Sequence, residues 1–321
     1  MKKIKLYVYD NAKKHEHDTN SSGMAAELYN TVPLSEKGIL DHCVLVNPEE
    51  AEYFYMGQFS QDKRETLVAH PNNYKYFEGN EQRHILDIDG EGGFEASARP
   101  AIPPWLRKSI ITTNGPLKKY SDIQFLFARP TFSHLLIDII RNQKENFAFP
   151  KEKSFGLRIF LNHKVRAATV HALHNSDFKK EIHVNRKWQG LSPIGSKTQQ
   201  DFVKTMLNNS ISLCPRGSGI DSVRFWESCY FNRLPVVISD YDYFLFGEDH
   251  YDMSFCYRIN NPNVNPSYIF DELKKIYETP IEDMEERAAK GKEYFETIVR
   301  EYFADPTLYF LNWLEMKNEK K

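Results

Sequence analysis

The sequence predicts an α/β protein of two domains, each built on a mainly parallel β-sheet. The chain has 321 residues, which exceeds the roughly 250 residues that a single hydrophobic core usually serves. Short apolar runs of strand length alternate with helical patterns, which is typical of a parallel sheet covered on both faces. A segment with the composition of a linker, residues 146–156, separates two such series and contains Pro150, a charge cluster and Gly156.

The first series, residues 1–150, contains five predicted strands. They are IKLYVYD (4–10), AEYFYMG (51–57), HILDI (84–88), SIITT (109–113) and IQFLF (123–127). Apolar residues at helical spacing predict a helix over 131–145. No regular structure is predicted for the polar stretch 11–23, whose HEHD string (15–18) has metal-ligand residue types but no further ligands beside it, which favours solvated side chains.

The second series, residues 151–321, alternates more clearly. Its predicted strands are LRIFL (157–161), EIHV (181–184), ISLCP (211–215), LPVVIS (234–239) and SFCYRI (254–259). Helices are predicted near 164–175, over 196–208 and from Asp221, and three amphipathic helices, about 267–278, 281–303 and 306–318, end the chain. The domain boundary is therefore predicted between residues 150 and 151.

Composition and charge exclude several functional classes. Lys and Arg number 42 against 44 Asp and Glu, so no excess positive charge is available to bind nucleic acid or an anionic bilayer. The opening MKKIKLYVYD is too short and too polar for a signal peptide or a membrane helix, and no later segment is long enough to span a bilayer. The four cysteines form no C-x-x-C motif. The sequence thus predicts a soluble, cytoplasmic protein.

The most informative segment is LCPRGSGIDSVRFWESCYFNRLPVVISD (213–240). Its pattern predicts a buried strand, a glycine-containing turn, a helix and a second buried strand. Ligands of open parallel sheets bind beyond the carboxyl ends of the strands, where Gly217 and Gly219 would let backbone amides approach a phosphate. Neither a Walker phosphate loop nor the G-x-G-x-x-G dinucleotide fingerprint is present.

Three charged residues of this segment are candidate ligand contacts. Arg216 lies in the turn, and Arg224 and Glu227 are three residues apart on one helix face, so they can address the same ligand. A guanidinium suits a diphosphate and a carboxylate suits the two hydroxyls of a ribose. Alternatively, the glycines only shape a turn, and Arg224 and Glu227 pair on a solvated helix face. The spacing alone does not decide between these interpretations.

The same segment resembles the C-terminal signature of the exostosin-like glycosyltransferases. In that family a P-R-G turn precedes a helix that carries an Arg and an acidic residue, and a P-V-V-x-S-[DN] strand follows. The residues that fit are Pro215, Arg216, Gly217, Ser222, Arg224, Glu227, Pro235, Val236, Val237, Ser239 and Asp240. Two further stretches match in order: NPEEAEYFYMGQF (47–59) is similar to D-P-x-E-A-D-x-F-F-V-P, and LRIFLNHKVRAATVHAL (157–173) to the family's strand, basic turn and helix.

The resemblance implies a GT-B fold, in which two Rossmann-like domains face each other across a cleft and C-terminal helices follow. It implies an acceptor-binding first domain, and a second domain that holds a nucleoside-diphosphate sugar, favouring UDP. It further implies inverting transfer to a hydroxyl of a glycan acceptor. Because cationic side chains at this sheet edge could stabilise the departing diphosphate, we expect that no cofactor or metal is required. The donor-binding residues expected on this basis and from the turn are Lys164, Arg166, Pro215, Arg216, Gly217, Ser218, Gly219, Ser222, Arg224 and Glu227.

The first domain offers candidates for the general base. ILDIDGEGG (85–93) places Asp87, Asp89 and Glu91 at the end of a predicted strand, and we expect one of them to deprotonate the acceptor hydroxyl. Two alternatives remain: the D-x-D string holds a divalent cation against the diphosphate, or it is an acidic turn. His84 and Asp41 are the next candidates. A non-catalytic module that binds a nucleotide sugar or a glycan is the rival from another functional class.

Overall fold

The computed structural model describes residues 3–9, 42–59, 74–88, 102, 104–130, 133, 135–136, 146–174, 176–185, 195–217 and 219–319. The chain divides into two compact units. The first comprises Met1–Arg129 together with Arg300–Lys321, and the second comprises Pro130–Val299.

This division differs from the predicted boundary at residue 150 in two places, and side-chain packing explains both. Phe147 belongs to the second unit, where its ring centroid lies 5.0 Å from that of Phe231. The end of the chain belongs to the first unit, because Trp313 packs edge-on against Phe127 with centroids 4.9 Å apart. Aromatic contacts therefore set the division, rather than the linker-like composition of 146–156.

The first unit contains a parallel sheet of six strands within its described residues. They are β1 (Ile4–Val8), β2 (Cys43–Leu45), β3 (Tyr53–Phe59), β4 (His84–Ile88), β5 (Ile110–Asn114) and β6 (Leu126–Arg129). Their order is β2-β1-β3-β4-β5-β6, and all pairs are parallel. The direction of winding reverses between β1 and β3, as in doubly wound folds. The edge strand β2 was not predicted, since it has three residues and two of them, Val44 and Leu45, are 43% exposed.

The second unit contains a parallel sheet of five strands in the part of the chain that the structure describes. They are β7 (Phe155–Phe160), β8 (Lys180–Asn185), β9 (Ile211–Pro215), β10 (Leu234–Ser239) and β11 (Tyr257–Asn260), in the order β11-β10-β9-β7-β8. Helices α1 (Lys164–His174), α2 (Lys197–Asn208), α3 (Val223–Tyr230), α4 (Pro266–Glu278) and α5 (Ile281–Tyr294) follow in chain order. The winding reverses between β7 and β9, which places the switch point of this sheet there.

The core of the second unit explains which face of β7 is available for a ligand. Phe155, Leu157 and Ile159 alternate along β7 and pack into an apolar cluster with residues of α1 and α4. Because successive strand residues point to opposite faces, Arg158 and Phe160 lie on the other face, where α2 packs against β7 and α3 against β9 and β10. The space beside β7, between α2 and α3, thus receives a charged side chain.

The helices at the end of the chain were predicted. Helix α5 continues through a π-helical turn, Phe295–Val299, into α6 (Arg300–Ala304), and α7 (Pro306–Glu319) begins at a proline, as expected. In the described part of the chain, none of the helices combines the length and the apolar character that crossing a bilayer requires. The predicted α/β class with two Rossmann-like parallel sheets is confirmed.

Candidate functional site

A pocket opens in the second unit at the carboxyl ends of three neighbouring strands. Phe160 of β7, Asn185 of β8 and Pro215 of β9 are the last residues of their strands and line it, together with the first turns of α2 and α3. Its volume is about 130 Å³, and it widens into solvent at its mouth. It lies at the β7/β9 switch point, where open parallel sheets bind ligands.

Five of the predicted donor-binding residues line this pocket: Arg166, Pro215, Ser222, Arg224 and Glu227. The fully buried strand β9 ends at Pro215, and α3 begins at Val223 with Ser222 in an extended conformation before it. Helix α3 therefore presents Arg224 and Glu227 to the pocket. Glu227 is only 4% exposed, so the alternative of an ion pair on a solvated helix face does not describe it.

Glu227 is held by a hydroxyl from outside its own helix. Ser133 Oγ donates a short hydrogen bond to Glu227 Oε1 and accepts one of 3.2 Å from the backbone N–H of Leu136. Burial raises the pKa of Glu227 to about 7, although the bond from Ser133 and the charge of Arg224 act in the opposite direction. A buried carboxyl group that titrates near neutrality in a pocket is typical of functional sites.

Arg224 is fixed in the depth of the pocket. Its Nη2 donates to the backbone oxygen of Arg158, and its guanidinium lies over the ring of Phe202, 4.9 Å from the ring centre. Burial lowers the pKa of Arg224, and the charge of Glu227 partly offsets this. An arginine keeps its charge under such a shift. Its Nη1 is buried and has no hydrogen-bond partner among the described residues.

The guanidinium of Arg166 packs against the backbone of Gly217. Arg166 Nη1 donates to the backbone oxygen of Phe160 at 3.1 Å and to Asn162 Oδ1 at 2.9 Å. A Cβ atom on Gly217 would lie 2.5 Å from Arg166 Nη2 and 2.7 Å from its Cζ. Gly217 is thus required for the close approach of a guanidinium. The expected approach of its amide to a phosphate stays a prediction.

Arg216 and Lys164 both lie close to Asp240 at the same edge of the sheet. Arg216 is 2% exposed and pairs with Asp240 after β10, while its Nη1 donates to the backbone oxygens of Gly217 and Gly219 at 3.3 and 3.4 Å. Lys164 Nζ lies 3.3 Å from the other Asp240 oxygen. Burial raises the pKa of Asp240, but the hydrogen bond and charge of Arg216 and the bond from Lys164 outweigh it and lower the pKa.

These two cations therefore neutralise a buried carboxylate, and Arg216 also holds the glycine turn. Among the described residues they are not part of the pocket lining, and neither are Gly217 and Gly219. Their direct contact with a donor stays a prediction. Ser218 lies outside the described residues.

The candidate bases are only partly described. Asp87 lies in β4, where its backbone pairs with Thr112 of β5. Asp89 and Glu91, and also Asp41, lie outside the described residues. Within the described residues no group of three or more His, Cys, Asp or Glu side chains is placed to hold a metal ion, and the D-x-D string extends beyond them.

His84 is a core residue of the first unit. Its Nδ1 lies 2.8 Å from the backbone oxygen of Asn80 and therefore carries the proton, which leaves Nε2 to accept from the hydroxyl of Tyr9 at 2.9 Å. Its ring stacks on Phe54 at 4.7 Å, and burial lowers its pKa to about 4. Because both ring nitrogens of His84 already make hydrogen bonds, neither is available to an acceptor hydroxyl. This argues against His84 as the general base.

Ten of the fifteen described residues that line the pocket were not predicted, among them Ser133, Arg158 and Phe202. Arg158 had a signal in the sequence, because it is the charged residue within the otherwise apolar run LRIFL, and buried charges are rare without a partner or a ligand. Ser133 and Phe202 had none. They reach the site from distant segments that only the fold brings together.

The chain has only distant likenesses to known proteins. No family model and no curated protein matches the chain. Among solved structures, MurG of Acinetobacter baumannii is 9% identical over 96% of this chain and 99% of that chain, with a TM-score of 0.36. A Listeria monocytogenes protein assigned as a UDP-N-acetylglucosamine 2-epimerase is 9% identical over 92% and 94% (TM-score 0.35). The glycosyltransferase VinC in complex with dTDP is 13% identical over 73% and 68% (TM-score 0.33).

At these identities and TM-scores, the likenesses fix neither the family nor the reaction. The exostosin-like signature of residues 213–240 stays a resemblance.

Proposed function

We propose that the chain is a glycosyltransferase of the exostosin-like type that transfers a hexose or pentose from a nucleoside-diphosphate donor, UDP-linked, to a hydroxyl of a glycan acceptor with inversion. The observation that carries the proposal is the pocket at the β7/β9 switch point, in which Arg166, Arg224 and Glu227 converge. Their residue types and order in the chain are those of the exostosin-like signature.

The pocket gives each of these residues a chemical role. Glu227 accepts hydrogen bonds from the ribose hydroxyls in its ionised form, because a carboxylate is the stronger acceptor. The arginines bind the diphosphate, whose negative charge increases as the bond to the sugar C1 breaks. A carboxylate among Asp87, Asp89 and Glu91 takes the proton of the acceptor hydroxyl, which attacks C1 in line with the departing diphosphate. The transfer then needs no metal.

The test combines binding with turnover. Nucleoside-diphosphate sugars are screened for a rise in the melting temperature of the protein, and those that bind are incubated with an array of glycan acceptors. We expect one nucleotide class to stabilise the protein and a product of inverted anomeric configuration to form. Stabilisation with no product on any acceptor would support the rival, a non-catalytic module. No stabilisation by any nucleotide would contradict both the transferase and a module that binds a nucleotide sugar, and would leave a module that binds a glycan.

Donor binding should survive the removal of divalent metal. The arginines of the pocket supply the positive charge that a cation provides in metal-dependent enzymes. We expect the dissociation constant of the donor, measured by calorimetry, to change less than about twofold between EDTA and excess Mn²⁺. Loss of binding in EDTA that Mn²⁺ restores would instead support a metal site at Asp87 and Asp89.

Gly217→Ala should weaken donor binding through Arg166. The new Cβ would overlap the guanidinium, so Arg166 has to leave its bonds to Phe160 and Asn162, and we expect a loss of affinity of roughly tenfold. The matched control is the double variant with Arg166→Ala. If Gly217 acts through Arg166, the double variant binds no more weakly than Arg166→Ala alone. Additive losses would mean that the amide of Gly217 contacts the donor directly.

A further inference from the structure

A pair of partly buried arginines lines the pocket, and the sequence signature contains only one of them. Arg158 projects from β7 on the face covered by α2 and α3, and its side chain is 14% exposed. Its backbone oxygen accepts the bond from Arg224 Nη2. Both side chains line the pocket, so two guanidinium groups lie in one partly dehydrated space.

Each of these guanidinium groups has a buried donor without an acceptor. Arg158 Nε and Arg224 Nη1 are both inaccessible to solvent and have no hydrogen-bond partner in the described part of the chain. Buried donors are almost always paired, because an unpaired one loses its bond to water without a replacement. Two such donors on neighbouring cations that line one pocket favour the binding of an anion there.

The charge around this pair is positive. Asp201 Oδ2 lies 3.6 Å from Arg158 Nη2, beyond hydrogen-bond length, and its side chain is 41% exposed. Asp201 does not line the pocket, and Glu227 is the acidic side chain among the described residues that do. Burial raises the pKa of Glu227 to about 7, so near neutrality it carries only part of a charge. The two full positive charges of Arg158 and Arg224 are thus only partly neutralised by nearby carboxylates.

We propose that Arg158 and Arg224 form an oxyanion subsite in the pocket, which binds a phosphate group of the donor. This inference rests on the proposed function, and adds Arg158 to the residues that contact the donor. The geometry favours it, since Arg224 is already immobilised by Phe202 and by the Arg158 carbonyl, and little side-chain freedom is lost on binding.

The carboxylate of Asp201 allows a test in which the proposal predicts tighter rather than weaker oxyanion binding. This carboxylate attracts the same guanidinium that the ligand needs, so it competes with the ligand. Asp201→Asn should therefore tighten oxyanion binding by about two- to fivefold, the range of a partly exposed ion pair. If Arg158 only stabilises the fold, the lost charge of Asp201 acts on the ligand only across a solvent-screened distance, and oxyanion binding tightens by less than about twofold.

The experiment measures binding of sulfate, UDP and uridine by calorimetry to the full chain and to Arg158→Met, Arg158→Lys and Asp201→Asn. We expect Arg158→Met to weaken sulfate and UDP by at least about tenfold, as expected for a lost charged hydrogen bond, and to leave uridine unchanged. Arg158→Lys should fall between, because an ammonium keeps the charge but not the planar donor geometry. Asp201→Asn should tighten sulfate and UDP.

Three outcomes would overturn the subsite. They are the absence of sulfate binding by the parent, unchanged sulfate and UDP affinity in a folded Arg158→Met, and unchanged or weaker sulfate binding in Asp201→Asn. If Arg158→Met does not fold, Asp201→Asn alone carries the test. Failure of the proposed function has another pattern: no nucleotide sugar yields product, yet sulfate still depends on Arg158 and Asp201 as described.

Discussion

Replacing Glu227 by glutamine is expected to remove a pH dependence of about 3 kcal/mol from the stability of the protein. The ordinary glutamate pKa of 4.5 applies in the unfolded chain, and burial raises the pKa of Glu227 to about 7 in the native state. As pH rises from 4.5 towards 7, the unfolded chain releases this proton and the native state retains it, so the free energy of unfolding falls. At about 1.4 kcal/mol per pKa unit, the total is about 3 kcal/mol.

Urea denaturation at pH 5 and pH 8 measures this difference. From pH 5 to pH 8, the free energy of unfolding of the parent should fall relative to that of Glu227→Gln. The stability of the variant relative to the parent should therefore be greater at pH 8 than at pH 5. Glu278→Gln, which removes an exposed carboxylate at the end of α4, is the control for the loss of one acidic group. Equal pH slopes in the parent and Glu227→Gln would contradict the buried, hydrogen-bonded position of Glu227.

The second large effect concerns the general base. Changing the base to its amide should lower the rate of transfer by on the order of a hundredfold or more, because general base catalysis contributes about that much. Asp87→Asn, Asp89→Asn and Glu91→Gln are the three variants, and one of them should lose turnover with unchanged donor affinity. Asp122→Asn, which breaks an exposed ion pair with Arg107 in the same unit, should keep the parental rate.

Three amide variants with near-parental rates would contradict the assignment of the base to 85–93. The search would then move to Asp41, since His84 is held between Tyr9 and Asn80. A joint loss of donor binding in Asp87→Asn and Asp89→Asn would support a metal at the D-x-D string instead. Rate and affinity are therefore measured on the same preparations.

Sequence predicted the buried strands well because a strand covered on both faces is a continuous apolar run. The predicted bounds of β4, β9 and β10 coincide with the observed His84–Ile88, Ile211–Pro215 and Leu234–Ser239. Strand β6 was predicted three residues early. Ile123 is buried in a turn before it, where its N–H bonds to the oxygen of Tyr120. The apolar pattern around Ile123 thus reflects burial in a turn and not a strand.

The site was predicted where its residues lie close together in sequence. Arg224 and Glu227 occupy one turn of α3, and helical spacing alone places them on one face. The hydroxyl that holds Glu227 comes from Ser133, 94 positions away, and no local pattern announces such a contact. Likewise, the ion pair of Arg216 with Asp240 depends on β9 and β10 being neighbours. Local periodicity does not contain that information.

The discontinuous first unit has a consequence for biosynthesis. The second unit, Pro130–Val299, is one uninterrupted stretch, whereas the first unit needs residues from both sides of it. Phe127 is translated long before Phe310 and Trp313, the rings that cover it. During synthesis on the ribosome, the second unit can therefore complete its core before the first unit does. The sheet of the first unit keeps Phe127 uncovered until Phe310 and Trp313 have been made. Premature termination near residue 300 would thus damage the half of the protein that was made first.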